Sequence, residues 1–214
     1  MHWFRKSRKV FVIGRNKTGT SSLRTALKSL GFKVGKQAAA ELLREDWARR
    51  DFRRIIRYCR SADAFQDVPF SLDYTWQAMD QAFPGSRFIL SVRNDAQEWF
   101  ESLTRFHTQL IGKGRLPTPD DLREYPYRAG KGWLWRGYEL TYGTDESHLY
   151  DPQLYMRRYE AHNARVMDYF RFRPQDLLVL NVAHPDAMKS LCDFLEVPVP
   201  DTAMPHRNRS TPSR

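Results

Sequence analysis

The stretch Lys9-Val-Phe-Val-Ile-Gly-Arg-Asn-Lys17-Thr-Gly-Thr-Ser-Ser-Leu23 constrains this chain more than any other part of it. Residues 9–13 read as a short buried strand, because β-branched and aromatic residues run on without polar alternation. The pattern then changes. Residues 14–19 form a tight polar loop bounded by glycines, and from Thr20 the apolar residues fall at Leu23, Ala26, Leu27 and Leu30, the spacing of a helix with one buried face. A strand, a glycine loop and a helix N-terminus together make an anion cradle, since backbone N–H groups and the helix dipole favour negative charge at the same place. Taken alone, the loop can also be read as a Ser/Thr-rich turn that caps a helix.

The position of the lysine narrows the choice of anion. A nucleotide-hydrolysing loop of the G-x-x-x-x-G-K-[ST] type puts lysine directly after the second glycine and a hydroxyl after that for Mg²⁺. Here Gly14 and Gly19 keep the spacing, but Thr20 and Ser21 follow, and the lysine lies inside the loop at Lys17. Lys17-Thr18-Gly19-Thr20-Ser21-Ser22 resembles the 5′-phosphosulfate loop of the P-loop sulfotransferases, closest to their short, single-domain bacterial branch. That resemblance implies 3′-phosphoadenosine-5′-phosphosulfate (PAPS) as donor, 3′-phosphoadenosine-5′-phosphate (PAP) as product, and no metal. Moving a singly charged sulfuryl group needs less charge neutralisation than moving a phosphoryl group. The resemblance assigns cofactor binding to Arg15, Asn16, Lys17, Thr18, Gly19, Thr20, Ser21 and Ser22.

Further along, the chain alternates strands and helices. Gly31 closes the first helix, and residues 32–35 suit a short second strand. Residues 38–60 read as helical, with Leu42, Leu43, Trp47, Phe52, Ile55 and Ile56 as the buried set and six arginines from Arg49 to Arg60 on a basic face. Residues 62–66 form the next strand, stopped by Pro69, which leaves Asp67 at a strand's C-terminal end, where open parallel sheets place ligands. Residues 71–83 suit a helix, 87–92 a buried strand and 96–107 another helix. Residues 153–170 form a long helix with His162 as a core histidine, 177–182 the last strand and 185–195 the last helix. This order predicts an α/β, three-layer P-loop fold: a parallel sheet of about five strands flanked by helices, in a single domain spanning 1–214.

The sulfotransferase resemblance extends to these segments. Asp67-Val-Pro-Phe-Ser-Leu72 is similar to the family's segment that carries the base for the acceptor proton, so Asp67 is the candidate base. Its other reading is a cap for the helix expected near Ser71. An ordinary Asp has a pKa of about 3.9 and needs burial or a second carboxylate to become an effective base. Arg93, after the 87–92 strand, resembles the arginine of the 3′-phosphate site, for which a fork of donors suits phosphate. The family's serine comes eight residues later, where this chain has Glu101, so Ser102 fits only if one extra residue sits in the turn before the helix. His107 is a reserve candidate for base. Pro205-His206-Arg207-Asn208-Arg209 resembles the family's closing segment and brings Arg207 to the cofactor. A frayed basic tail is its other reading.

Residues 108–152 are rich in Gly, Pro, Tyr and Trp, and read as an irregular lid insertion over the acceptor site. Packing over the core is the plainer reading. A net charge of +10 with pI about 9.8 favours acidic partners, a nucleotide cofactor, an anionic polymer or nucleic acid, or else a solvated basic surface. Lys113, Arg115, Arg128, Lys131 and Arg136 of the insertion suit an anionic or carbohydrate-like acceptor. No apolar run is long enough to cross a membrane, and the N-terminus lacks the apolar core of a signal peptide, so a cytoplasmic location is expected. Cys59 and Cys192 suit buried free thiols. Two rival functions stay open: a small-molecule or nucleotide kinase, which lacks its lysine here, and a nucleic-acid-binding protein, which leaves the Lys17 loop unexplained and is the less favoured.

Overall fold

A strand that is apolar on both faces must be covered by helices on both, and the chain folds accordingly. The structure is a computed structural model in which residues 8–205 are described. They divide into two compact units, one made of 8–92 with 165–205, the other of 93–164.

The first unit holds the sheet. Strands β1 (Val10–Val12), β2 (Ala64–Gln66), β3 (Arg87–Ser91) and β4 (Leu177–Leu180) are all parallel and lie in the order β2-β1-β3-β4. The two-residue period of a strand sends Val10 and Val12 to one face and Phe11 to the other. On the first face the valines join Leu23, Ala26 and Leu27 of α1 (Thr20–Ser29) and Leu191 of α10 (Ala187–Leu195) in one apolar cluster. On the second, the Phe11 ring lies 5.6 Å from Phe65 and 5.5 Å from Phe88, the residues that the register sets beside it. Phe88 in turn meets Phe170, the last residue of α9 (Pro152–Phe170), at 4.8 Å. Burying each such ring contributes about 1.5–3 kcal/mol.

Three expectations need correction here. The sheet has four strands rather than five, because residues 32–35 make only a single parallel bridge, Val34 to Ala64. The chain enters this segment from a tight stop: Gly31 at φ +87 donates to Lys28 O and Phe32 to Leu27 O, the paired bonds of a Schellman turn. It leaves at Gly35, where a Cβ would lie 2.7 Å from the Phe65 and Tyr58 rings' atoms. Nor do residues 38–60 form one helix. They break into α2 (Gln37–Glu41), α3 (Arg44–Ala48) and α4 (Arg53–Tyr58), and α3 parts from α4 because Arg50 turns left-handed at φ +59 and closes α3 with the same paired bonds. Leu42, expected in the core, lies in the break between α2 and α3 and is 59% exposed. Finally, α5 (Thr75–Ala82) starts four residues after Ser71. Ser71 N–H goes instead to Asp67 O in a turn, so Asp67 caps no helix. Asp80 of α5 is buried on α9 and the turn after it, accepting from Tyr169 Oη at 2.7 Å and from both terminal nitrogens of Arg173.

The second unit is helical. Asp95 caps α6 (Ala96–Leu110) by accepting from Glu98 N–H at 2.7 Å. Residues 108–152, expected to be irregular, contain α7 (Pro119–Glu124) and α8 (Trp133–Tyr142). Thr118 and Asp121 form a reciprocal capping box on α7. The aromatics of this stretch form a core with α6 and the first part of α9: Trp99, Leu103, Tyr138, Tyr142, Tyr150, Tyr155 and Tyr159 are all buried. Both cysteines are free and buried, and His162 is wholly buried. Among the described residues, no helix is long and apolar enough to cross a membrane.

Candidate active site

In the first unit the loop of residues 14–19 leaves the C-terminal end of β1. Two close approaches require its glycines. A Cβ on Gly14 would lie 2.2 Å from Ser91 O, and one on Gly19, which has φ +97, would lie 2.3 Å from a Val182 methyl. Gly19 is also the N-cap of α1, so no side chain caps that helix and its first turn carries no carboxylate. First-turn amides point past the N-terminus along the axis, so the loop and α1 together favour an anion there.

Within the loop the side chains divide by direction. Thr18 is fully buried and faces inward, donating to Arg15 O at 2.6 Å with its oxygen 2.6 Å from Ser91 Oγ. Arg15 also turns inward: it is 3% exposed and its guanidinium reaches Ser71 O and the Asp73 carboxylate. Asn16 and Lys17 remain partly exposed, and Lys17 holds a left-handed φ of +68. Thr20 and Ser22 are buried at the start of α1, and Ser21 is partly exposed beside them.

Asp67 follows β2 directly, and because β1 and β2 are parallel it emerges at the same end of the sheet as the loop. Its Oδ2 lies 3.4 Å from Thr20 Oγ1, a long hydrogen bond, and its Oδ1 accepts from Val68 N–H at 2.9 Å. Burial raises its pKa above the ordinary carboxylate value, and the nearby Glu41 carboxylate adds to the rise, while Val68 N–H, Thr20 and the Lys17 ammonium pull the other way. Glu41 is itself buried at the end of α2. The sequence gives no sign of its role, since it ends an alanine run that reads as ordinary helix surface. Asp73 and Ser91 likewise carry no local signal.

In the second unit, Arg93 Nη2 donates to Ser102 Oγ at 3.3 Å, so the two residues expected to share a phosphate do meet. Two residues, Asn94 and Asp95, separate Arg93 from the first turn of α6, and that spacing turns Ser102 toward it. Arg93 Nη1 also pairs with Glu98 at 3.3 Å, and its backbone N–H donates to Tyr159 Oη at 3.0 Å. His107 is buried in the tyrosine core of the same unit, with Nε2 2.7 Å from Tyr138 Oη and Nδ1 3.1 Å from Tyr150 Oη. Arg207 lies outside the described residues.

A family model described as a sulfotransferase domain matches residues 9–212. No curated protein gave a match. The matched span takes in the glycine loop, Asp67, Arg93 and Ser102, and on that span this chain belongs to the sulfotransferase domain family.

Proposed function

We propose that the protein transfers a sulfuryl group from PAPS to a hydroxyl or amine of an acceptor. The observation that carries this reading is a glycine-bounded loop whose lysine lies within it, beside a carboxylate whose pKa burial raises. The residues fit the donor. A capless helix start next to two glycines that admit no Cβ suits a 5′-phosphate, and an arginine paired with a serine hydroxyl suits a 3′-phosphate.

PAPS supplies a sulfuryl group activated by a phosphate leaving group. Lys17 and the amides at the start of α1 would stabilise the charge that grows on the leaving oxygen, as donors fixed in advance. Thr20, Ser21 and Ser22 would hold 5′-phosphate oxygens, and Arg93 with Ser102 the 3′-phosphate. Asp67 would take the acceptor's proton as the new S–O or S–N bond forms and the S–O bond to phosphate breaks. Its raised pKa makes it a stronger base than an ordinary aspartate. His107, enclosed by tyrosine hydroxyls, is the weaker candidate. The basic side chains of 108–152 are assigned to the acceptor, which we take to be anionic or sugar-like, and the location to the cytoplasm.

Calorimetric titration with PAP, beside ATP with Mg²⁺, tests the reading on wild type, Lys17→Ala and Arg93→Ala. PAP is expected to bind without metal, with Arg93→Ala weakening it by about tenfold or more, as loss of a charged hydrogen bond would. Binding of ATP with Mg²⁺ alone would make the protein a kinase instead.

A further inference from the structure

Arg15 is a loop cation whose charge is engaged inside the fold. Its Nη1 donates to Ser71 O at 2.9 Å, and its Nη2 pairs with Asp73 Oδ1 at 3.0 Å. Asp73 is held from two more sides: its other oxygen accepts from Arg165 Nη2 at 2.5 Å, and its backbone carbonyl from Trp47 Nε1 at 2.7 Å. Ser71 and Asp73 belong to the segment that begins at Asp67. This segment is bracketed by two non-glycine residues in the left-handed region, Asp67 at φ +62 and Tyr74 at φ +68. Such conformations persist only where the surroundings fix them. At its other end Arg15 is fastened to the anion loop, because its carbonyl accepts from Thr18, whose hydroxyl lies against Ser91.

We propose that Arg15 and Asp73 form a strut that couples the anion loop to the Asp67 segment, so that occupation of the loop orders the base. Arg15 is thus a positioning residue rather than an anion ligand. A guanidinium 3% exposed and bound to a carboxylate and a carbonyl reaches the loop mouth only by abandoning both. The planar fork matters, because one cation must serve two acceptors at different angles, which lysine's point charge does poorly. The inference rests on the donor reading above for its ligand, but the strut itself exists without ligand.

Amide hydrogen exchange on the full chain, with and without PAP, tests it. In wild type, PAP is expected to slow exchange in 67–74 as well as in 14–23. Asp73→Asn should bind PAP within about threefold of wild type yet lose the transmitted protection, with exchange in 67–74 about tenfold faster, as breaking a charge-assisted hydrogen bond allows. Arg15→Lys should lose the transmitted protection too. Without nucleotide, Asp73→Asn should already speed exchange in 15–19, across the strut from the substitution. If that segment is unchanged in the free protein, or if PAP still protects 67–74 in Asp73→Asn, there is no strut. If Arg15→Lys weakens PAP as much as Lys17→Ala does, Arg15 is an anion ligand after all. Failure of every form to bind PAP would overturn the donor reading alone, since the nucleotide-free comparison still decides on the strut.

Discussion

The two units solve the problem of a core differently. Around the sheet, the buried rings are phenylalanines stacked in register, Phe65 beside Phe11 beside Phe88, with valines and leucines on the other face, so these layers ask for no hydrogen bonds beyond those of the strands. The helical unit is filled with tyrosines, and each buried hydroxyl needs a partner. Tyr138 and Tyr150 find His107, and Tyr159 accepts from the Arg93 backbone. The first core is held by area and the second also by polar contacts that must be made. Such contacts specify geometry, and one of them, Tyr159 with the Arg93 N–H, fixes the backbone next to the pairing of Arg93 with Ser102. An apolar core suits a unit whose loops at one end of its strands carry the glycine loop and Asp67.

The comparison is broken most directly by truncation in the sheet. Phe11→Ala removes the central ring of the stack and should cost about 3–5 kcal/mol, read as a lowered urea midpoint of the full chain. If the loss is below about 1.5 kcal/mol, the range of a volume-conserving swap, the stack is not what holds the sheet. At the functional end of the same unit, Lys17→Ala should leave the urea midpoint nearly unchanged while lowering sulfuryl transfer by about 10²–10³, the usual effect of removing one preorganised charge donor. A parallel loss of stability would mean that Lys17 is part of the fold.

The same contrast explains how much could be read from residues alone. The strands were visible because β1 and β3 are unbroken apolar runs, and α1 because Leu23, Ala26 and Leu27 keep one helical face. The glycine loop was visible because its glycines have geometric work to do. Arg50 has no such signature. A left-handed arginine ends α3 where periodicity continues, and a separate break at Leu42 and Leu43 parts α2 from α3, so one expected helix became three. The helices α7 and α8 were hidden because their packing residues are tyrosine and tryptophan among glycines, a composition typical of loops. The pairing of Arg93 with Ser102 depended on whether the turn before α6 held an extra residue, which spacing raised and only coordinates decided. Glu41 and Asp73 act across long sequence separations and left no local trace.

Between the two cores, the smallest informative change is a single oxygen. Tyr138→Phe keeps ring and volume but takes a hydroxyl from His107, and should cost about 1–2 kcal/mol if that contact is required. Burial holds the Tyr138 pKa well above the ordinary phenol value, so the hydroxyl stays protonated across the neutral range. The equivalent change in the sheet does not exist, because its stacked rings carry no oxygen. A neutral result for Tyr138→Phe would make the second core as dry in its energetics as the first.

Asp67 is where the dry unit tolerates a poorly solvated charge, and its cost can be measured. Its folded pKa is raised above the ordinary 3.8 by burial and by Glu41. Between the unfolded and folded values the native state therefore holds more protons than the unfolded state, and stability falls as pH rises through that window. Below the unfolded value the penalty is absent, and above the folded value it is complete. Asp67→Asn removes it. The variant should match wild type below the unfolded value and become more stable than it as pH rises through the window. Over the same range its sulfuryl transfer should fall by about 10²–10⁴, the usual contribution of a general base. A gain in stability together with a loss of turnover would identify Asp67 as a group held ready for chemistry at the expense of the fold. If Asp67→Asn is instead less stable than wild type at pH 7, the carboxylate's bonds to Val68 and Thr20 outweigh its burial, and it serves the loop before any acceptor.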